Sequence, residues 1–432
     1  MSKFQIILTS IFVVFIIAGV VAFATFKGDS TSASLPSITI WGTFPESTFT
    51  SLVANINVSR PNQISINYIE IPSSDFRRQY IEELARGKGP DAILISQDEI
   101  LGFTDKIIEI PNTVLTQRDF QNTYIPQADL YITSTGIKAI PFIVDPMVMY
   151  WNRTILTNAG IAKYPAYWDD FSNLITRINQ KDQNSNIRRS AIAMGEFRNV
   201  NHARELLSTL FLQKGNPVTY NSGEGVVSAI GDSQFSGTKT SSPALAFYVQ
   251  FSNPLGQYYS WNRSLPSSKN SFLSGNLATY FGFASEIGEL REKNPNIDYD
   301  VAPMPQWKGK NGENRATFGK MYGLSISRST RDQNSVYQIM KILTSTEASS
   351  ILSKATYLPS VRRDAVASGS TDPYMSIFLD SALISRGWLD TNAEKSNTIF
   401  TDLVEKVTSG RSSLYNALTQ SSDELNLSLK SQ

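Results

Sequence analysis

Apolar and polar positions alternate with two different periods along the chain, and the switches between them mark its elements. Residues 37–41 (SITIW) form a short β-branched run closed by Gly42, which predicts a buried strand leading into a loop. A helical stretch follows, and residues 63–71 (QISINYIEI) alternate with period two, which predicts a second strand. Asp75 is placed to cap a helix over residues 76–86, with Gly87 as its stop. Gly89-Pro90-Asp91 opens residues 92–95 (AILI), an apolar run of the kind that parallel sheets bury on both faces. The same order recurs further on. Val144-Asp145-Pro146 reads as a turn before the strand-like residues 147–152, a helix ends near Gly160, another spans residues 170–180, and residues 277–281 read as a strand. The Ser/Gly/Asn-rich stretches 221–242 and 307–315 read as loops. Strands alternating with helices make the fold class α/β, and no internal repeat or low-complexity tract is visible.

The N-terminus has a different pattern. Residues 4–26 are one apolar run without a charge, flanked by Lys3 and Lys27. At a rise of about 1.5 Å per residue such a run spans the hydrocarbon core as a transmembrane helix, leaving everything downstream outside the cytoplasm. A signal peptide cleaved near Ala24 is the competing reading, because Ala22-Phe23-Ala24 has small residues at the spacing of a cleavage site. Residues 27–36 then form a short stalk.

Composition removes whole classes of chemistry. The 432 residues include no Cys and one His, so disulfides, thiol nucleophiles, Cys-ligated metals and multi-histidine metal centres are excluded. Lys plus Arg number 39 against 38 for Asp plus Glu, which leaves none of the basic excess that nucleic-acid backbones demand. No phosphate-cradling glycine motif is present, so this chain carries no nucleotide site of its own. His202, in NVNHARELL, reads as a surface or helix-start residue with no Gly-x-Ser-x-Gly motif near it. The carboxylate pairs Glu82-Glu83, Asp169-Asp170 and Asp298/Asp300 read as solvated faces and helix starts. No cofactor and no metal are expected.

Several segments taken in order resemble the family 1 extracellular solute-binding proteins of ABC importers, the maltose-binding-protein-like group. They are ITIWGTF, ARGKGPDAILI, GIKAIPFIVDPMVMYWNRTILTNAGI, YPAYWDDF, SFLSGNLATYFG, VAPMPQWKG, QIMKILTSTEASSIL with YLPSVRRDA, and VTSGRSSLYNALTQSSDEL. The sequence departs from that family in lacking its lipid-bearing cysteine and in placing Trp151 where Tyr is commoner. The resemblance implies a two-lobed periplasmic-binding-protein-like fold with discontinuous lobes, preceded by one N-terminal transmembrane helix. Lobe 1 would comprise residues 36–144 and 322–370, and lobe 2 residues 145–321 and 371–432. It also implies a monomeric substrate-binding subunit that delivers a small solute, chiefly a carbohydrate, to membrane permease subunits. The ligand would lie in the cleft between the lobes, beyond the carboxyl ends of the strands.

On that alignment the candidate ligand-binding residues are Trp41 and Phe44 after the first strand, Asp98 after AILI, Asp145 at the crossover, Glu196, Phe283 and Glu286 in the second lobe, Tyr322 at the return crossing and Trp388 near the C-terminus. Aromatic faces would stack on sugar rings while carboxylates accept from hydroxyls. The competing reading from another class is a membrane-anchored glycosidase or lyase working through opposed cleft carboxylates. A third is an adhesin or scavenger of the same fold.

Overall fold

The computed structural model describes residues 35–59, 64–223, 225–231, 241–308 and 314–430. Eight of its strands organise the chain: β1 Ile38–Gly42, β2 Ile66–Glu70, β3 Ala92–Ser96, β4 Ile140–Asn152, β5 Ile187–Ile192, β6 Leu277–Phe283, β7 Tyr299–Pro303 and β8 Thr317–Ser327. β1 lies between β2 and β3 and parallel to both. β8 runs antiparallel between β3 and the first half of β4. The second half of β4 carries β6 on one edge and β7 on the other, both antiparallel, and β6 continues in parallel to β5. β4 and β8 therefore belong to both lobes, and the rest of the sheet hangs from them on either side.

Helices complete the layers by covering the apolar faces. Helix α1, Glu46–Ser59, turns Phe49, Leu52 and Ile56 inward, and helix Thr346–Thr356 packs against it. Helix Pro373–Leu383 packs instead on β4 and β7, and Ala393–Thr408 packs on Leu414–Lys430. The chain thus leaves the first lobe through β4, returns through β8 and ends on the second.

Local sequence accounts for most of this. All five residues of β3 are buried, as expected of a continuous apolar run with sheet on both sides. Gly87 takes φ +68° just beyond helix α2, Ser73–Ala85, where a side chain would be strained. Asp75 is not the cap. The helix starts two residues earlier after Pro72, and Asp75 sits in its first turn, paired with Arg78 at 2.9 Å.

Three further expectations are corrected. The Asp145-Pro146 turn does not exist, because β4 runs unbroken for 13 residues through it. Pro146 is tolerated there because its carbonyl, not its missing N–H, makes the local bond, accepting from Ala284 N at 3.0 Å. The helix expected over residues 170–180 is a 3₁₀ turn, Trp168–Asp170, followed by Phe171–Ile178. Part of the loop expected over 221–242 is a two-stranded hairpin, Thr219–Asn221 with Val226–Ser228. The apolar run 4–26 lies outside the described residues. Among those described, no helix is long and apolar enough to cross a membrane.

The first lobe's core centres on Phe49, fully buried and stacked on Tyr68 with ring centroids 4.1 Å apart. Truncating such a ring loses both its burial and its contacts. Phe49→Ala is expected to destabilise this lobe by about 3–5 kcal/mol, read as a lower midpoint in urea unfolding followed by tryptophan fluorescence.

Candidate functional site

Beyond the carboxyl end of β3 the chain meets the second lobe through Asp98, and beyond β6 it meets mid-β4 through Ser285. Asp98, two residues beyond β3, accepts from the hydroxyl of Ser96 and from Arg204 Nη2 at 3.1 Å. Arg204 stands in the first turn of helix α3, Ala203–Gln213, on the second lobe. Its guanidinium also meets Glu205 Oε1 at 2.7 Å, donates to Ala393 O at 3.2 Å and lies 5.6 Å from the Trp388 ring centroid. Asp98 and Arg204 are about nine-tenths buried, so the pair is a strut between lobes that water hardly reaches. Burial opposes the charge of Asp98, but Lys320 and Arg204 outweigh it and hold the carboxyl below its usual range.

Next to it, Glu99 is pushed up to about 7 by burial and by the neighbouring Asp98 charge. Asp145, in mid-β4 opposite Lys320, accepts Ser285 N at 3.1 Å. Burial raises it to about 6, against the lowering effect of the Ser285 hydrogen bond.

Glu286 is the best-tied carboxylate of the region. It accepts Phe283 N at 2.9 Å and Tyr280 OH at 2.7 Å, and it lies 2.7 Å from both His202 Nε2 and Lys269 Nζ. Burial works against its charge, yet His202 and Lys269 prevail and lower it to about 2. His202 stands at the start of α3, as its sequence context suggests, but is half-buried rather than on the surface. Its backbone is left-handed, φ +57°, and its ring lies edge-on to Phe283 with centroids 4.9 Å apart.

The remaining expected residues divide by how much of each is left uncovered. Trp41 is half-buried at the end of β1, and Tyr322 is half-buried in β8 with Lys320 Nζ 5.4 Å from its ring. Phe44 is buried edge-on against Phe142 and Tyr322, and Phe283 is buried with its carbonyl accepting from Tyr150 OH. Glu196 accepts Arg263 Nη2 at 3.2 Å. Trp388 is 1% exposed, with Phe400 stacked on one side and Arg204 near it. A separate cavity of about 470 Å³, lined by Phe197, His202, Glu205 and Asn397, opens at the start of α3.

Sequence reasoning missed Arg204, Glu205, Lys320 and Lys269. For the first three a signal was present: a charged pair opening the otherwise apolar helix ARELLSTLFL, and a lone lysine inside the strand TFGKMYGLSIS. The structure holds no group of three or more His, Asp and Glu arranged to bind a metal among the described residues.

Asp145 yields a pH prediction with a definite sign. A carboxyl raised from 3.8 to about 6 costs stability as it ionises, so its contribution is lost as pH rises from about 4 to about 6. Asp145→Asn keeps the acceptor for Ser285 N and removes the charge. The variant is expected to match the parent near pH 4 and to exceed it by up to about 3 kcal/mol at pH 8, checked by urea unfolding across that range.

The family model for bacterial extracellular solute-binding proteins matches residues 45–349. Among solved structures, the cyclic α-maltosyl-1,6-maltose binding protein of Arthrobacter globiformis superposes with a TM-score of 0.72 at 15% identity, covering 92% of this chain and 100% of that one. A cyclo/maltodextrin-binding protein complexed with maltotetraose gives 0.70 at 15%, covering 92% and 98%. CpMnBP1 with mannotriose bound gives 0.66 at 16%, covering 90% and 99%. At these identities the likeness establishes the two-lobed fold. No curated protein matches the chain by sequence. The family match runs from the start of α1 to the helix that packs back on it, taking in both crossings of β4 and β8, and the chain belongs to the bacterial extracellular solute-binding proteins.

Proposed function

We propose that this chain is the substrate-binding subunit of an ABC importer, that it takes a carbohydrate into the cleft between its lobes, and that it performs no chemistry on it. One observation carries the reading: polar and aromatic groups from both lobes converge where β4 and β8 cross, and Asp98 and Arg204 already join the two sides there. A ligand that touches both walls favours the closed arrangement by its differential affinity for it.

Within the cleft, Trp41 and Tyr322 have uncovered ring surface for a sugar's apolar face and Glu99 is half-buried, while Asp98 and Asp145, buried as the lobes stand, offer oxygens to hydroxyls when the lobes part. Glu286 acts at one remove, fixing His202, Phe283 and Lys269 in place. Glu286, with four partners and a pKa near 2, is itself a poor general acid. The lobes are residues 36–144 with 322–370 and residues 145–321 with 371–432. The monomer stands on the outer face of the membrane, tethered by residues 4–26, and hands its solute to permease subunits. A tether raises its effective concentration at them.

Calorimetric titration with malto- and manno-oligosaccharides, with chromatography of the recovered sugar, tests this. Saturable binding with unchanged sugar is expected, with Trp41→Ala weakening it by about tenfold or more. Conversion of the sugar would overturn the reading in favour of an enzyme.

A further inference from the structure

A second cavity between the lobes, of about 330 Å³, is built from residues unlike those of the cleft. The first lobe contributes the stretch 126–138, the second contributes the hairpin at Thr219–Asn221 and Val226–Ser228, and residues 386–389 close it. Gln127 stands on its wall. That side chain is 1% exposed, and its Nε2 donates to Gln97 Oε1 and to Gly319 O, both at 2.6 Å, while its Oε1 has no partner.

Two cations line the same cavity, Lys138 and Arg386, and both are half-buried. Lys138 Nζ makes one long bond to Thr104 Oγ1 at 3.4 Å, and Arg386 Nη1 donates to the Ser385 carbonyl at 2.7 Å. Among the described residues neither forms an ion pair. Burial lowers the pKa of each, with only a through-space opposing effect from Glu109 on Lys138 and from Asp129 on Arg386. Glu109 is committed to the hydroxyls of Thr133 and Thr135, and Asp129, the one carboxylate on the cavity wall, is exposed, accepts from Gln121 and is in ion-pair contact with neither cation. Half-buried charges without a counter-ion are costly to keep, and they become favourable when an anion fills the space between them. Leu130, Val226 and Leu389 supply the apolar remainder of the wall.

We propose that this cavity is a binding site for a small organic oxyanion, a phosphate or carboxylate on an apolar body, held by Lys138 and Arg386. Its walls come from both lobes, so the occupant favours the arrangement in which they meet. The chemistry that recognises the occupant does not depend on which solute the cleft takes.

The test is calorimetric titration of the 432-residue chain, in detergent solution at low salt, with phenyl phosphate, benzoate and the neutral benzyl alcohol. The proposal expects saturable binding of at least one of the two anions, and the better one names the head group. It expects benzyl alcohol to bind at least about tenfold more weakly than that anion. The double variant Lys138→Met, Arg386→Met should bind the anion at least about tenfold more weakly. Its melting temperature without ligand should equal or exceed that of the parent, which separates loss of the site from loss of the fold. Absence of anion binding up to about 10 mM, or equal binding by the double variant, would overturn the proposal.

Discussion

Two strands are shared between the lobes, and that constraint governs everything else in this protein. β4 and β8 run antiparallel and hydrogen-bonded through the centre of the sheet, with β3 outside β8 at one end and β6 and β7 flanking β4 at the other. A chain tied this way can rotate one lobe against the other only by bending or twisting a pair of strands that is itself part of both cores. Residues at the crossing feel any such motion most directly. Asp145, Lys320 and Tyr322 sit there, and Phe44 from the first lobe packs on Tyr322.

The charges near the crossing are organised by the same constraint. Asp98 and Arg204 come from different lobes, and each is buried by the closeness of the other wall. Opening the lobes would separate and rehydrate both, so the strut costs little to break and gains little net stability, while it fixes which faces meet. Glu286 is a contrasting case, because its four partners lie within the second lobe and it remains paired however the lobes move. Two carboxylates that look alike in the sequence are thus held differently, Asp98 across the lobes and Glu286 within one.

Much of the fold could be read from local patterns. The apolar run of β3, the alternation of β2 and the glycine stop after α2 each follow from residues a few positions apart, and each is where periodicity puts it. The misreadings arose where distant residues decide. Asp145-Pro146 reads as a turn because Pro normally breaks a ladder, but here a carbonyl bond to Ala284 keeps the strand continuous. His202 starts α3 as its sequence context suggests, but nothing local shows that its ring will meet Glu286, 84 positions away by number (286 − 202). The role of Arg204 is not local either, since its partners Asp98 and, near the C-terminus, Trp388 and Ala393 O come from two distant segments. Of the residues named by resemblance, Asp145 and Tyr322 stand at the crossing and Phe44 packs on Tyr322, but which residues keep uncovered surface depends on packing that local patterns do not carry.

Closure of the lobes about β4 and β8 around a sugar is the central claim, and a distance measurement addresses it most directly. The chain has no native cysteine, so single thiols placed at Val58 on α1 and Leu427 on the last helix, both strongly exposed, can be spin-labelled without interference. Electron–electron dipolar spectroscopy on this pair should show a broad or two-peaked distance distribution without sugar. A saturating oligosaccharide that binds by calorimetry should collapse it to the shorter distance. An unchanged distribution in the presence of that bound sugar would contradict the account.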